Sequence, residues 1–539
     1  MTGRTGRVLV ASALAVAAAM TLFLTGVQTA PRPAEWQRTL IIATAAEPQS
    51  FDPAVNVAVV SAYRFYPNVY EGLVQYAPDG KILPMLAEKW QVLDGGLRYR
   101  FSLIKDATFS DGTSFDADAA KFAFDRFLGI GKGLASTFSS VKSVDVVDKY
   151  TLDIVLKEHF APLLAVLASW YGAVFVSPAA AKAHDSGGDQ GQAWLRDHTV
   201  GTGPYTLESW VPENRVILVR NPRYRLGWKP GQIERVVFTI MREPSTMRQA
   251  VEGGEVDMAE EIPPSLIAPL KNAKSVAVNV KFSQGSSWGQ ALYLNLQKPP
   301  FNNVNIRKAL AYAIDYKRLV DVWQGIGSLP SGPFPPTSKP WFSEKAIVRY
   351  QYDLGKAREY LAKAGMNMPI NPPMTFKILW QTGATAQRDM AQLIAEDWAK
   401  LGIQLSIQET PLPVWREAIW QHTFEVAFVQ ESLRYNDPDA IASLEYPSKE
   451  YRYRGWNPGY NNPRIDQLVD LGRTTVQTTA RVLFYTEFQH IVTDEVVLLD
   501  LVNKLHAFVA RREVEGIVWN PNYGPHFRAY EMRKNPNVN

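Results

Sequence analysis

Gly285-Ser286-Ser287-Trp288-Gly289 is the stretch of this chain that most resembles a catalytic motif. It fits Gly-x-Ser-x-Gly, which stands a nucleophilic serine on a sharp strand-to-helix turn. The residues after it, Gln290 to Leu296, alternate like a strand, so the helical half of the elbow is missing. Ser287 as the nucleophile of a secreted serine hydrolase is therefore the lesser reading. Gly129-Ile-Gly-Lys-Gly133 lacks the spacing of a phosphate-binding loop. The seven histidines show no paired metal spacing, and no two carboxylates stand out as an acid/base couple. The absence of cysteine excludes disulfides, thiolate nucleophiles, zinc–cysteine sites and iron–sulfur clusters. This inventory describes a protein that is not an enzyme and carries no metal or cofactor.

The chain has 539 residues, enough for two to four domains and a large core, at roughly 100–200 residues per domain. Its 57 basic and 53 acidic residues nearly balance, and no basic block stands out, which argues against nucleic acid as partner. The load of 15 Trp, 23 Tyr and 24 Phe suits a roomy binding site as well as a core. Arg4 and Arg7 precede an apolar run from Val8 to Val27, the layout of an export signal over residues 1–34. An uncleaved anchor is the other reading, since about 20 apolar residues span a bilayer. The body is expected to be soluble and outside the cytoplasmic membrane.

The elements that must position any site alternate between helix and strand, the pattern of an α/β architecture. Strands are expected at Thr39–Ala43, Leu97–Leu103, Thr151–Leu156, Arg215–Val219, Arg235–Ile240 and Ile403–Ile407. A helical stretch is expected around Ser61–Tyr70 and an amphipathic helix over Asp116–Phe127, capped by Asp116. Asn305–Trp323 reads as one helix capped by Asn305, and Arg388–Leu401 as another stopped by Gly402.

Several segments together resemble the extracytoplasmic solute-binding proteins of ABC transporters, family 5 (cluster C), the peptide-binding type. They are Ser50-Phe-Asp-Pro53, Val69-Tyr-Glu-Gly-Leu73, Leu83-Pro-Met-Leu-Ala-Glu-Lys-Trp90, Phe109-Ser-Asp-Gly-Thr113, Gly201-Thr-Gly-Pro-Tyr205, Arg220-Asn-Pro-Arg-Tyr224, Gly254-Glu-Val-Asp257, the run Asn302 to Asp315, and Gly459-Tyr-Asn-Asn-Pro463. The resemblance implies a two-lobed periplasmic-binding-protein fold (type II) with a hinge and an extra subdomain at about 80–195. Lobe one would comprise 39–289 plus the return 501–539, and lobe two 290–500, with Ala291–Leu296 and Val496–Leu501 as hinge crossings. It implies a periplasmic receptor, working as a monomer, that closes on a di- or oligopeptide. The receptor would deliver its ligand to an ABC permease and ATPase complex at the inner membrane. Docking on a membrane sensor is a further role open to the same closed surface.

In relatives with this loop, an acid four residues before the proline holds the ligand's ammonium. Here the loop reads Glu431-Ser-Leu-Arg-Tyr-Asn-Asp-Pro438, which places Arg434 there and reverses the charge. Two readings stay open. Glu431 or Asp437 takes the ammonium instead, or the ligand is not an ordinary peptide and Arg434 grips a carboxylate or phosphate. An opine-like conjugate or an oligosaccharide would fit the second. Tyr435 and Asn436 are candidate donors to the ligand, and Trp415, Trp288 and Trp380 are candidate stacking surfaces.

Overall fold

The computed structural model of the chain describes residues 34–538 except 56–63, 134, 171–172, 261, 282–288, 432, 449–457 and 524–526. The export segment, the start of the helical stretch near Ser61, Ser287 and Trp288 lie outside the described residues.

In chain order, β1 (Thr39–Thr44) opens the fold. A four-stranded antiparallel sheet follows, β2 (Ala87–Leu93), β3 (Arg98–Leu103), β4 (Val141–Asp148) and β5 (Thr151–Leu156), in the order β2-β3-β5-β4. Helix α1 (Ala117–Ile130) packs on it. Asp116 accepts the Ala119 amide at 3.0 Å, satisfying an orphan donor of the first turn, and Gly131 ends the helix at φ +64°. This sheet and its helix lie within residues 80–195.

Five strands then build the first body: β6 (Tyr205–Val211), β7 (Arg215–Arg220), β8 (Arg235–Ile240), β9 (Met258–Glu260) and β10 (Val276–Lys281). The second body contains β11 (Gly289–Leu294), β12 (Gly327–Ser328), β13 (Met374–Gln381), β14 (Ile403–Thr410), β15 (Val426–Glu431) and β16 (Leu499–Lys504). Finally β17 (His506–Arg511) returns to the first body. The seven-stranded sheet runs β10-β17-β9-β1-β8-β7-β6 and the six-stranded sheet β12-β16-β11-β15-β13-β14. The chain therefore passes between sheets twice, from β10 to β11 and, through Leu505 alone, from β16 to β17. Both β11 and β16 are full members of the six-stranded sheet.

Both sheets mix parallel and antiparallel pairs: β1 lies parallel to β8 and β9, and β13 parallel to β14 and β15. The central strands β11 and β15 are buried on both faces, while the edge strands β6 and β14 keep exposed positions. Leu40, Ile42, Val236 and Phe238 fill one core, and Met390, Ile394 and Trp398 the other.

The expected helix Asn305–Trp323 is two helices, α2 (Val304–Tyr312) and α3 (Tyr316–Asp321). Asp315 breaks it. Its carboxylate accepts the Lys317 and Arg318 amides, which starts a new helix, while its own amide donates to Asp397. Asn303 rather than Asn305 caps α2, its side chain accepting the Asn305 amide at 2.9 Å. The second helix, α4 (Thr385–Ala399), starts earlier than expected, and Gly402 sits past its end at φ +80°. The second body is completed by α5 (Leu412–Trp420), α6 (Asp439–Glu445), α7 (Pro463–Thr474) and α8 (Thr478–Asp494).

The two bodies touch. The Ala161 amide, from the first, donates to the Arg473 carbonyl at 2.8 Å, and the Arg473 guanidinium lies 5.3 Å from the centre of the Phe160 ring.

Candidate functional site

β15 ends at Glu431, beside the first passage between the bodies, and the loop to α6 carries Leu433 to Pro438. Glu431 pairs in register with Gly289 at the start of β11. A side chain at 289 would run into the Glu431 carboxylate, so this close approach requires glycine. Asp500 on β16 is in register with Ala291 on β11, the next position on the same face. The carboxyls of Glu431 and Asp500 meet across that strand.

Among the described residues, no N–H or O–H donates to Glu431 Oε1 or Asp500 Oδ1. Two buried carboxyls in contact without a donor require a shared proton, because both charges together are unfavourable in low dielectric. Burial foremost, then the charges of Asp500 and Glu445, hold the Glu431 carboxyl well above the usual carboxylate range. Burial pushes Asp500 up to about 7, against the hydrogen bond from Glu431.

A third acid closes the cluster. Glu445 ends α6 and accepts the Tyr293 hydroxyl from β11. Burial pushes Glu445 up to about 7, opposed by that hydrogen bond and by the positive charge of Arg434. Arg434 is half-buried, and its positive charge acts on Glu445. Glu431 and Arg434 of the sequence-predicted set are thus gathered around one buried acidic cluster.

The rest of the loop is tightly held. The buried Tyr435 hydroxyl donates to Asp439 Oδ2 at 2.8 Å, and Arg473 reaches Asp439 Oδ1 at 2.8 Å. Asp437 accepts Arg481 at 2.6 Å and the Asp439 amide at 3.0 Å. The Asp437 carboxylate is therefore engaged with a buried guanidinium, which removes it as an ammonium anchor. Asn436 faces the other body: its amide donates to the Tyr76 hydroxyl at 3.1 Å, and its side chain to Asn522 Oδ1 at 2.7 Å.

Trp415 on α5 is buried and donates its indole N–H to the Phe428 carbonyl of β15 at 3.1 Å. Trp380, near the end of β13, is 7% exposed. Both pack inside the six-stranded body, and Trp288 lies outside the described residues. Sequence reasoning missed Tyr293, Glu445 and Asp500. The one available signal was Asp500, an acid inside the apolar run Val496 to Val502. Among the described residues no group of acids and histidines is arranged to hold a metal ion. None of their helices is long and apolar enough to cross a membrane.

Residues 81–451 match the family described as bacterial extracellular solute-binding proteins, family 5 Middle. Over 501 residues the chain is 30% identical to the "Probable D,D-dipeptide-binding periplasmic protein DdpA" of Escherichia coli K12, covering 92% of this chain and 94% of that protein. The dipeptide-binding protein of Pseudoalteromonas sp. SM9913, solved with Met-Leu, superposes at TM-score 0.76 with 22% identity, over 92% of this chain and all of that one. AgaA of A. tumefaciens R10, solved with agropinic acid, superposes at 0.74 with 22% identity, over 92% and 99% of the two chains. These likenesses show the two-lobed periplasmic-binding-protein fold.

Proposed function

Because the chain belongs to the bacterial extracellular solute-binding proteins of family 5, we propose that it is the receptor of an ABC importer for short peptides. It captures a di- or oligopeptide between its lobes and presents the closed form to a permease and ATPase complex in the inner membrane. It acts in the periplasm, as a monomer, without catalysing a reaction. Lobe one is 39–289 with the return 501–539, and lobe two is 290–500. The passages of the chain between sheets, just before Gly289 and at Leu505, support boundaries within a few residues of these.

The observation that carries this reading is the Glu431–Asp500 carboxyl pair beside the passage between lobes, which among the described residues has no cation or N–H donor of its own. A ligand ammonium supplies what the pair lacks, and charge-assisted hydrogen bonds to it are strong when water is excluded. Arg434, three residues further on, offers a planar fork to the peptide's carboxylate. Opposite charges at one short loop match a zwitterion with both termini free. Tyr435 and Asn436 complete the ligand-facing loop, and Trp415 and Trp380 pack inside the body that carries it. The name of the relative that is 30% identical, a binder of D,D-dipeptides, agrees with this.

The test is calorimetry of the exported chain with free and N-acetylated dipeptides. Free peptides bind and N-acetylated ones bind at least tenfold more weakly. Binding that ignores the terminus overturns the anchor. Arg434 supports a second reading, an opine-like conjugate held chiefly by its carboxylates, as agropinic acid is bound by a protein of the same fold. Under that reading such conjugates bind and dipeptides do not.

A further inference from the structure

A cavity of about 460 Å³ lies wholly within lobe two. All of its lining residues fall between Ala311 and Asp500, so none comes from the other lobe, and it meets the carboxyl pair of the cleft only at Asp500. Its size is in the range of small-molecule pockets. The apolar wall includes Leu329, Ile347, Val348, Val496 and Leu498. Tyr316 and Tyr350 also line it, but their hydroxyls donate to the carbonyls of Ala311 and Asp494 at 3.2 and 2.9 Å. The two tyrosines thus offer the cavity their rings.

The charged groups in the wall divide sharply. Arg349 is occupied by Glu344 and by the Pro330 carbonyl. Asp315 is occupied by the amides at the start of α3. Asp500, on the inner wall, has a buried Oδ1 without a hydrogen bond; its carboxyl meets that of Glu431, and the hydroxyls of Tyr316 and Tyr446 lie within reach of its charge. Lys317 stands exposed at the rim. The turn that shapes this wall is held in an uncommon conformation. Val496, a β-branched residue, has φ +47°, and Arg307 fixes it by donating to the Glu495 and Val496 carbonyls at 2.8–3.0 Å.

We propose that this cavity is a second ligand site, for a small primary amine carried on an apolar or aromatic body, with its ammonium on Asp500. Of the charged wall groups, Arg349 and Asp315 are engaged and Lys317 stands at the rim, which leaves Asp500, one of whose carboxyl oxygens is buried without a hydrogen-bond partner. A buried polar group gains most from the one partner it lacks. The Lys317 ammonium at the rim disfavours diamines, whose second cation would meet it. The site shares Asp500 with the carboxyl pair assigned to the cleft ligand, so it rests on that reading and an amine bound here competes with the cleft ligand for this acid.

The test is calorimetry of the whole exported chain with 2-phenylethylamine and its neutral counterpart 2-phenylethanol. The amine should bind at least tenfold more tightly than the alcohol, and Asp500→Asn should erase that preference. Leu329→Trp, at a half-exposed rim position, should abolish binding of both while leaving the thermal transition in place. Equal affinity for amine and alcohol in the parent overturns the proposal. So does amine binding that survives Leu329→Trp but is lost in Arg434→Ala, since the amine would then occupy the cleft.

Discussion

Asn436 of lobe two donates its side-chain amide to Asn522 of lobe one at 2.7 Å, while Asn522 donates onward to the Ala77 carbonyl at 2.8 Å. The same Asn436 gives its backbone N–H to the Tyr76 hydroxyl. One residue of the candidate ligand loop thus joins the lobes through two hydrogen bonds. Anything that positions this loop also biases the equilibrium between open and closed forms.

Asn436→Ala should weaken ligand binding about tenfold without changing the fold, by removing a contact that holds the two bodies together. Small-angle scattering checks it: the variant stays extended at ligand concentrations that compact the parent.

Arg434→Ala should weaken binding of a free dipeptide at least tenfold, about 1.4 kcal/mol. It should have far less effect on the corresponding dipeptide amide, which lacks the carboxylate. Calorimetry with the acid and amide pair reads both effects, and equal losses remove Arg434 from the terminus it is assigned.

Glu431→Gln should cost the free dipeptide affinity and flatten its pH dependence. Burial and neighbouring acids hold the Glu431 carboxyl up, and Asp500 is pushed up to about 7. An ammonium favours the ionised pair, so affinity should rise as pH increases through that value. It should fall again near pH 8, where a peptide's amino group deprotonates at about 7.7–8.0. Tyr293, Tyr446, Glu445 and Arg434 surround the pair, and of these Glu445 titrates in the same window. Titrations between pH 5.5 and 8.5 on both proteins separate its contribution.

Glu445→Gln tests the cluster through stability. The Glu445 carboxyl is raised from 4.5 to about 7 in the folded chain, so the native state keeps a proton that the unfolded state releases. Between those values the unfolded state binds fewer protons, and stability falls as pH rises. The contribution is on the order of 3 kcal/mol once pH exceeds the folded value. Glutamine stays neutral and keeps an oxygen for the Tyr293 hydroxyl. The variant should match the parent at pH 4.5 and resist urea better at pH 8. An unchanged difference across that range contradicts the raised carboxyl.

The strands were legible because apolar alternation and turn residues mark them directly, as at Arg235–Ile240. Asp116 was legible as a cap because a cap acts over three residues. Asp315 misled in the same terms: its neighbours keep helical spacing, and only its local hydrogen bonds show the break. The loop Glu431–Pro438 could be found from the sequence, and the charge reversal at Arg434 with it. What could not be read was its surroundings. Asp500 lies 69 residues from Glu431 and reaches it only through strand order, two neighbours across a central β11. Asp437 looked as eligible as Glu431 until Arg481, 44 residues away, was seen to occupy it.

The most direct measurement is calorimetry of the exported chain at pH 7.5 with D-Ala-D-Ala, L-Ala-L-Ala and their N-acetyl forms, on the parent and on Glu431→Gln. The account predicts that at least one free dipeptide binds, that acetylation costs tenfold or more, and that Glu431→Gln loses the same discrimination. A parent that binds free and acetylated peptides alike, or neither, would contradict it.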